Sequence, residues 1–378
     1  MKKIIATITI GLIAGQFSLG QVNRYYQPAT YTPINTYVSP DYDALYQIGA
    51  AMQARYNNNR DHRDKLIDWI FDLKTKTNDQ EFLDAMDYNY KKLRAMDDQD
   101  FGSLGSTLNS IEQDIKEEID KCNTRTRELP GKLWDAGNEN LKNGNYADAV
   151  KNYSALIQID PSYIYTYRNR GFAYYSLNKL SNCIADLNKY IAEVTDDQYS
   201  YATRGWAKYY TNDYTGALAD FNLQIENAPN SAVAYYNRGS AKSMLNDNYG
   251  AITDYSKAIQ FDPSFSMAYN NRGWSKYELK KYSEALVDLN KAIELDPKNW
   301  VAYDSRQETK FALLDYKGCI DDCNKGIAIN SKLANSYFFR GRAYYKQGLK
   351  TKACEDWSKA GELGKSEAYE YITKYCNN

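Results

Sequence analysis

Seven positions spaced by 34 residues constrain this chain more than any other feature in it. Gly137, Gly171, Gly205, Gly239, Gly273 and Gly341 recur at that step, and Gln307 fills the one gap. A small column follows: Ala149, Cys183, Ala217, Ala251, Ala285, Cys319 and Ala353. Four residues further on stands a larger apolar column: Tyr153, Leu187, Phe221, Tyr255, Leu289, Cys323 and Trp357. A fourth column reads Leu133, Tyr167, Tyr201, Tyr235, Tyr269, Tyr303 and Tyr337, and Pro161, Pro229, Pro263 and Pro297 close four of the units. A recurrence of this length marks a stacked array rather than a single globular core.

The columns have the chemistry of packed helix pairs. A small residue lets a neighbouring helix approach, and a large one fills the space beside it. Proline ends the second helix because it cannot continue the hydrogen-bond ladder. Each unit holds two helical stretches joined by a short polar turn, as in Tyr269 to Leu279 and Ser283 to Glu294. One pair cannot cover its own apolar face, so the units must stack.

The period and its small, aromatic and proline columns resemble the tetratricopeptide repeat (TPR). The runs Tyr235 to Pro263 and Tyr269 to Pro297 match it well. The resemblance implies an all-α chain: a right-handed α-solenoid of about seven TPR helix pairs with a C-terminal cap helix, preceded by a small N-terminal helical region. The units fall at 130–163, 164–197, 198–231, 232–265, 266–299, 300–333 and 334–367. The sixth departs most, with Gln307, Cys323 and Ser331 in key columns, and is expected to be the least regular. The family specifies an architecture, not an activity.

A second pattern runs through the units. Arg170, Arg204, Arg238, Arg272, Arg306 and Arg340 precede the glycine column, and Asp186, Asp220, Asp254, Asp288, Asp322 and Asp356 lie 16 residues after them. The first unit lacks both, with Ala136 and Asn152 instead. Joint loss predicts that each Arg pairs with the Asp of its own repeat as a structural ladder, because a partly buried guanidinium can grip a carboxylate with two bonds.

The ends differ from the array. Residues 1–20 read as a signal peptide: basic Lys2 and Lys3, an apolar run from Ile4 to Gly15, and small Ser18 and Gly20 before the cleavage expected ahead of Gln21. An uncleaved anchor is the alternative. Export to the periplasm, cell surface or outside the cell follows as an expectation. Residues 21–40 are Tyr- and Pro-rich and extended, with a helix start at Ser39-Pro40. In the helical region 41–129, Leu66, Ile67, Trp69, Ile70, Phe71 and Leu73 form an apolar cluster, Asn78 and Glu81 a capping box, and Leu108, Ile111, Ile115 and Ile119 a helical stripe. At the other end, Ser366 to Cys376 reads as a cap helix within 366–378. The run from Lys352 to Cys376 resembles the endings of secreted bacterial repeat proteins, and a Cys354–Cys376 disulfide is expected on that resemblance. Closing such a loop adds roughly 3 kcal/mol; the alternative is two buried thiols. Cys183 and Cys319 read as core residues.

Little in the chain points to catalysis. With 47 basic and 48 acidic residues it lacks the excess positive charge that nucleic acid requires. The single histidine, His62, sits in a polar helix-start context and reads as a surface residue rather than a general base. There is no CxxC pair and no phosphate loop, so neither a metal nor a cofactor is expected. After signal cleavage no segment is apolar enough to span a membrane.

A binding surface is the better reading. In tetratricopeptide arrays the first helix of each pair lines a concave groove. The matching positions are Tyr165, Arg168, Phe172 and Tyr175 in the second unit; Tyr199, Ala202, Trp206 and Tyr209 in the third, with Tyr210 beside them; and Met267, Asn270, Trp274 and Tyr277 in the fifth. Trp134, Tyr236, Phe311 and Tyr345 extend the aromatic strip. Such residues suit protein or peptide recognition, although many could pack between helices instead. Trp206 and Trp274 are expected to be exposed. The resulting expectation is a non-enzymatic extracytoplasmic scaffold whose partner is another protein or peptide. Carbohydrate binding, or occlusion of the groove by the N-terminal segment, are the alternatives.

Overall fold

The computed structural model describes residues 59–75, 79–96 and 104–376. The signal peptide, the segment 21–40, the helix start at Ser39-Pro40 and the capping residue Asn78 lie outside them. The described residues carry seventeen helices. They fall into two units, 59–166 and 167–376.

The amino-terminal unit contains α1 (Asn59–Lys74), α2 (Gln80–Arg94), α3 (Leu104–Lys142) and α4 (Tyr146–Ile159). Leu66, Trp69, Ile70 and Leu73 of α1 pack with Phe82, Met86 and Leu93 of α2 and with Leu108, Ile111, Ile115 and Ile119 of α3. Phe71, expected in that cluster, is 51% exposed, because it lies at the edge of the packed face of α1, edge-on to Tyr90 of α2. The cap of α2 is Asp79, whose carboxylate accepts the Phe82 amide at 3.0 Å. Arg125 of α3 grips the same carboxylate with two bonds of 2.9 and 3.1 Å. His62 is not a surface residue: it is buried, with Nε2 3.0 Å from Glu112 of α3. The chain crosses 129/130, where the first repeat begins, inside the single helix α3, with Pro130 within it.

The remaining helices alternate strictly between a first and a second helix of each repeat. They are α5 (Ile164–Ser176), α6 (Leu180–Ile191), α7 (Gln198–Tyr210), α8 (Tyr214–Asn227), α9 (Ala232–Met244), α10 (Asn248–Phe261), α11 (Ser266–Glu278), α12 (Tyr282–Leu295), α13 (Trp300–Ala312), α14 (Tyr316–Ile329), α15 (Ala334–Lys346) and α16 (Lys350–Glu362). The cap helix is α17 (Glu367–Tyr375). Consecutive helices pack as a solenoid, and close approach explains the glycine column. A Cβ at Gly239 would lie 2.8 Å from the Tyr255 ring, and one at Gly205 2.6 Å from Phe221. The sixth repeat inverts this arrangement. Gln307 takes up the room, and Cys323 in the large column gives it up. Both are fully buried. Its helices α13 and α14 are 13 and 14 residues long, like those of its neighbours. The expected irregularity is therefore absent from the backbone, because the exchange of sizes absorbs it.

The six Arg–Asp pairs all close within their own repeat. Each Nε donates to Oδ2 at 2.7–3.0 Å, and each Nη2 to Oδ1 at 2.5–2.8 Å. Two features go beyond the sequence reading. From Arg204 onward, Nη1 reaches back to the second helix of the preceding repeat, on Asn188, Asn222, Ser256, Asn290 and Asn324, at 2.6–3.1 Å. In four repeats a lysine one turn on, Lys208, Lys242, Lys276 or Lys310, joins the same carboxylate at 2.8–2.9 Å. Among the described residues Asp186 and Asp356 pair with their arginines alone, and burial raises the carboxyl pKa of Asp356.

The turn within each repeat carries one residue in the left-handed region. These are Gly144, Asn178, Asn212, Asn246, Lys280, Leu314 and Gly348. Leu314 has φ 64° and is 68% exposed, so it bears the cost of that backbone without burial in return. Left-handed backbone costs a non-glycine residue about 1–2 kcal/mol, and asparagine tolerates it best. Leu314→Asn should therefore raise the unfolding free energy by about 0.5–1 kcal/mol in urea titration. Equal or lower stability would count against this reading.

Candidate functional site

The first helices of repeats three to seven enclose a cleft of about 700 Å³ within the second unit. The third repeat contributes Tyr209 alone, whereas the fourth to seventh each contribute several residues, spaced 3 or 4 apart on one helical face. Tyr209 closes one stretch of the wall, Asn270, Trp274 and Tyr277 form the middle, and Val301, Asp304 and Glu308 follow. Asn335, Phe338 and Arg342 continue it, with Lys365 from the cap region. No ladder residue lines it.

Of the aromatic positions read from the sequence, Tyr209, Trp274 and Tyr277 line this cleft. Trp274 is half-buried and stacked on Tyr277, with centroids 4.9 Å apart and planes 22° from parallel. Trp206 is a correction. It is 3% exposed, packed on Tyr209, stacked on Tyr210 and set edge-on to Phe221. These aromatic neighbours enclose its ring inside the repeat. Phe172 is buried beneath the Arg168 guanidinium, itself held by Asp197 at 2.6 Å. Tyr236 is buried against Phe265 and Tyr255, and its hydroxyl accepts from Asn271 at 3.1 Å. In the amino-terminal unit Trp134 packs on Tyr153 and Tyr163, whereas Tyr165 is exposed. Tyr175 and Tyr199 are half-buried. Phe311 lies under Arg342 and against Phe339. Tyr345 is covered by Tyr375 of the cap, 4.5 Å away between centroids, so the cap takes over the last aromatic position. The cap is joined to α16 by the Cys354–Cys376 disulfide.

The sequence reading missed the most polar part of the site. In the sixth repeat two of the groove positions are Asp304 and Glu308, 5% and 9% exposed. Their hydrogen bonds are with neutral groups. Asp304 accepts from Gln307 at 2.6 Å, Ser336 at 3.1 Å and Asn335 at 3.1 Å. Glu308 accepts from the same Asn335 amide at 2.8 Å. No cation forms an ion pair with either carboxylate among the described residues, in contrast to every aspartate of the ladder. Following the groove positions into the sixth unit, rather than searching for aromatics, would have found both.

Comparison with known proteins places this architecture. The tetratricopeptide repeat family matches residues 232–265 and 266–299, and a TPR repeat family matches 137–178. A tetratricopeptide repeat protein from Parabacteroides merdae shares the fold at 20% identity and TM-score 0.55, covering 66% of this chain and 100% of its own. The C-terminal part of a TPR repeat-containing protein from Cytophaga hutchinsonii aligns at 20% identity and TM-score 0.49, over 62% of this chain and 97% of its own. No curated protein matches the sequence. The class is thus a helix-pair solenoid with an inner cleft, and the chain carries tetratricopeptide repeats. Among the described residues no helix is long and apolar enough to cross a membrane, and no cluster of His, Cys, Asp and Glu is arranged to hold a metal.

The acid pair makes stability depend on pH. Burial raises Asp304 to about 6. Burial, then the charge of Asp304, raises Glu308 to about 8. The folded state keeps these protons where the unfolded chain, with carboxyls near 4, has released them. Stability is therefore greatest below about pH 4 for these groups and falls as pH climbs to about 8. Between pH 5 and 8.5 the native protein should lose at least about 1 kcal/mol more, from urea midpoints, than Asp304→Asn/Glu308→Gln. Parallel curves would refute the assignment.

Proposed function

We propose that this protein is a non-catalytic scaffold that holds an extended segment of another polypeptide in the cleft of repeats three to seven. The observation that carries the reading is the Trp274–Tyr277 stack, a half-buried aromatic face set in a concave wall beside polar groups. Aromatics so placed dominate peptide recognition, because they bury much area at little entropic cost. The family supports a protein-interaction role, since tetratricopeptide repeats present concave surfaces of this kind. The basic and apolar start of the sequence supports export of the scaffold, and a Cys354–Cys376 bond fits an oxidising compartment.

Photo-crosslinking in the native host tests this. A crosslinking residue at Ser243 in the cleft should capture one defined polypeptide, and one at exposed Val287 on the second helix of its repeat should not. Trp274→Ala should weaken that partner by about 2 kcal/mol, roughly 30-fold. Capture from Val287 alone, or capture indifferent to Trp274→Ala, would move the binding surface off the cleft.

A further inference from the structure

Two nearly buried carboxylates without a contacting cation are costly, since an ionised group out of water needs a partner of opposite charge. The chain shows six times over how it compensates a buried aspartate, with a bidentate arginine. Asp304 and Glu308 receive only amide and hydroxyl donors. Glu308 has one oxygen on Asn335, and its Oε2 takes no hydrogen bond among the described residues. The two nearest basic residues are engaged elsewhere. Lys365 donates to the Asn335 carbonyl at 3.0 Å and lies 3.8 Å from Glu367. Arg342 lies over the rings of Phe311 and Phe339, at 4.3 and 4.9 Å from their centroids.

A second observation points in the same direction. Asn270 occupies the position equivalent to Asp304 one repeat earlier, is 6% exposed and lines the cleft. Its Nδ2 donates to Asn271 at 3.0 Å, which fixes the amide orientation and leaves Oδ1 as an acceptor with no partner among the described residues. The buried hydroxyl of Tyr209 in the same wall is likewise unpartnered. Most buried polar atoms in folded proteins have a partner, from the protein, water or a bound ligand, and these two face the cleft, where a ligand can supply the bond. One wall therefore presents two carboxylates and an amide oxygen, all acceptors. Trp274 stands at the position equivalent to Glu308 one repeat earlier.

On the reading of the cleft as a peptide groove, we infer that it anchors its partner by a lysine or arginine side chain. The aliphatic stem lies along the Trp274–Tyr277 stack, and the cationic head meets Glu308, Asp304 and the Asn270 carbonyl. The aromatic face also favours a cation, and the head group supplies the counter-charge that the fold withholds. Glu278 and Glu367 also line the cleft, and Lys280, Lys365 and Arg342 are its basic groups. Arg342 makes an acidic anchor the competing outcome.

The test uses the full chain and a random dodecapeptide display library, panned on the native protein, Trp274→Ala and Glu308→Gln. Glu308→Gln keeps the side-chain shape, and thermal unfolding checks that it folds. The expected result is a set of Trp274-dependent peptides with Lys or Arg at one fixed position. Replacing that residue by norleucine in the synthetic peptide should cost about tenfold or more, as should Glu308→Gln, and the two losses should not add. Trp274-dependent peptides with an acidic fixed residue would overturn the inference and leave the groove reading standing. So would losses below about threefold, the scale of an exposed ion pair. If no peptide depends on Trp274, the groove reading falls, and this inference with it.

Discussion

The guanidinium of each ladder arginine is the point on which the array turns. Two of its nitrogens hold the aspartate of its own second helix, and from Arg204 onward the third reaches the second helix before it. A single side chain thus fixes the register of a helix pair and ties that pair to its neighbour. The tyrosine three residues earlier lies beside the guanidinium, 5.2–5.8 Å from it across the six rungs. The geometry suits arginine alone, since an ammonium cannot present three donors in a plane. Such pairs add little net stability over an apolar core, but losing one partner leaves a buried charge and is severe. They are best understood as devices of register.

With register held by the ladder, the inner face of the first helices is released from structural duty. Most repeats use the glycine position to admit a large side chain from the second helix. The sixth does not: Gln307 enters and Cys323 shrinks, yet Arg306, Lys310 and Asp322 keep their rung. The same helix then buries Asp304, Ser305, Gln307, Glu308 and Thr309, an unusual density of polar groups. Gln307 itself donates to Asp304, so the departure from the repeat pattern and the polar site are one feature.

Much of this was legible before any coordinates. The period fixed the helix pairs, and the joint absence of Arg and Asp from the first unit pointed to pairing within a repeat. What the columns could not reveal was exposure. Trp206 and Trp274 hold the same position, yet Trp206 packs edge-on to Phe221 and is buried, whereas Trp274 stacks on Tyr277 and lines the cleft. Periodicity reports a face, and the neighbour across it decides depth. The acid pair was overlooked for a related reason: in a sequence, carboxylates on a helix read as solvated, and only packing shows that Asn335 and Ser336 enclose them. His62 was misjudged likewise, because its partner Glu112 lies 50 residues away.

The claim that the rungs carry the frame is tested most directly by native-state hydrogen exchange of Asp322→Asn. That change leaves Arg306 and Lys310 facing an uncharged amide in the repeat that bears the acid pair. The amides of α13 and α14 should open more readily by about 3–5 kcal/mol, while those of α7 and α8 remain as in the native protein, because repeats couple chiefly to their neighbours. Protection in α13 and α14 lowered by less than about 1 kcal/mol, the scale of an exposed ion pair, would contradict the account.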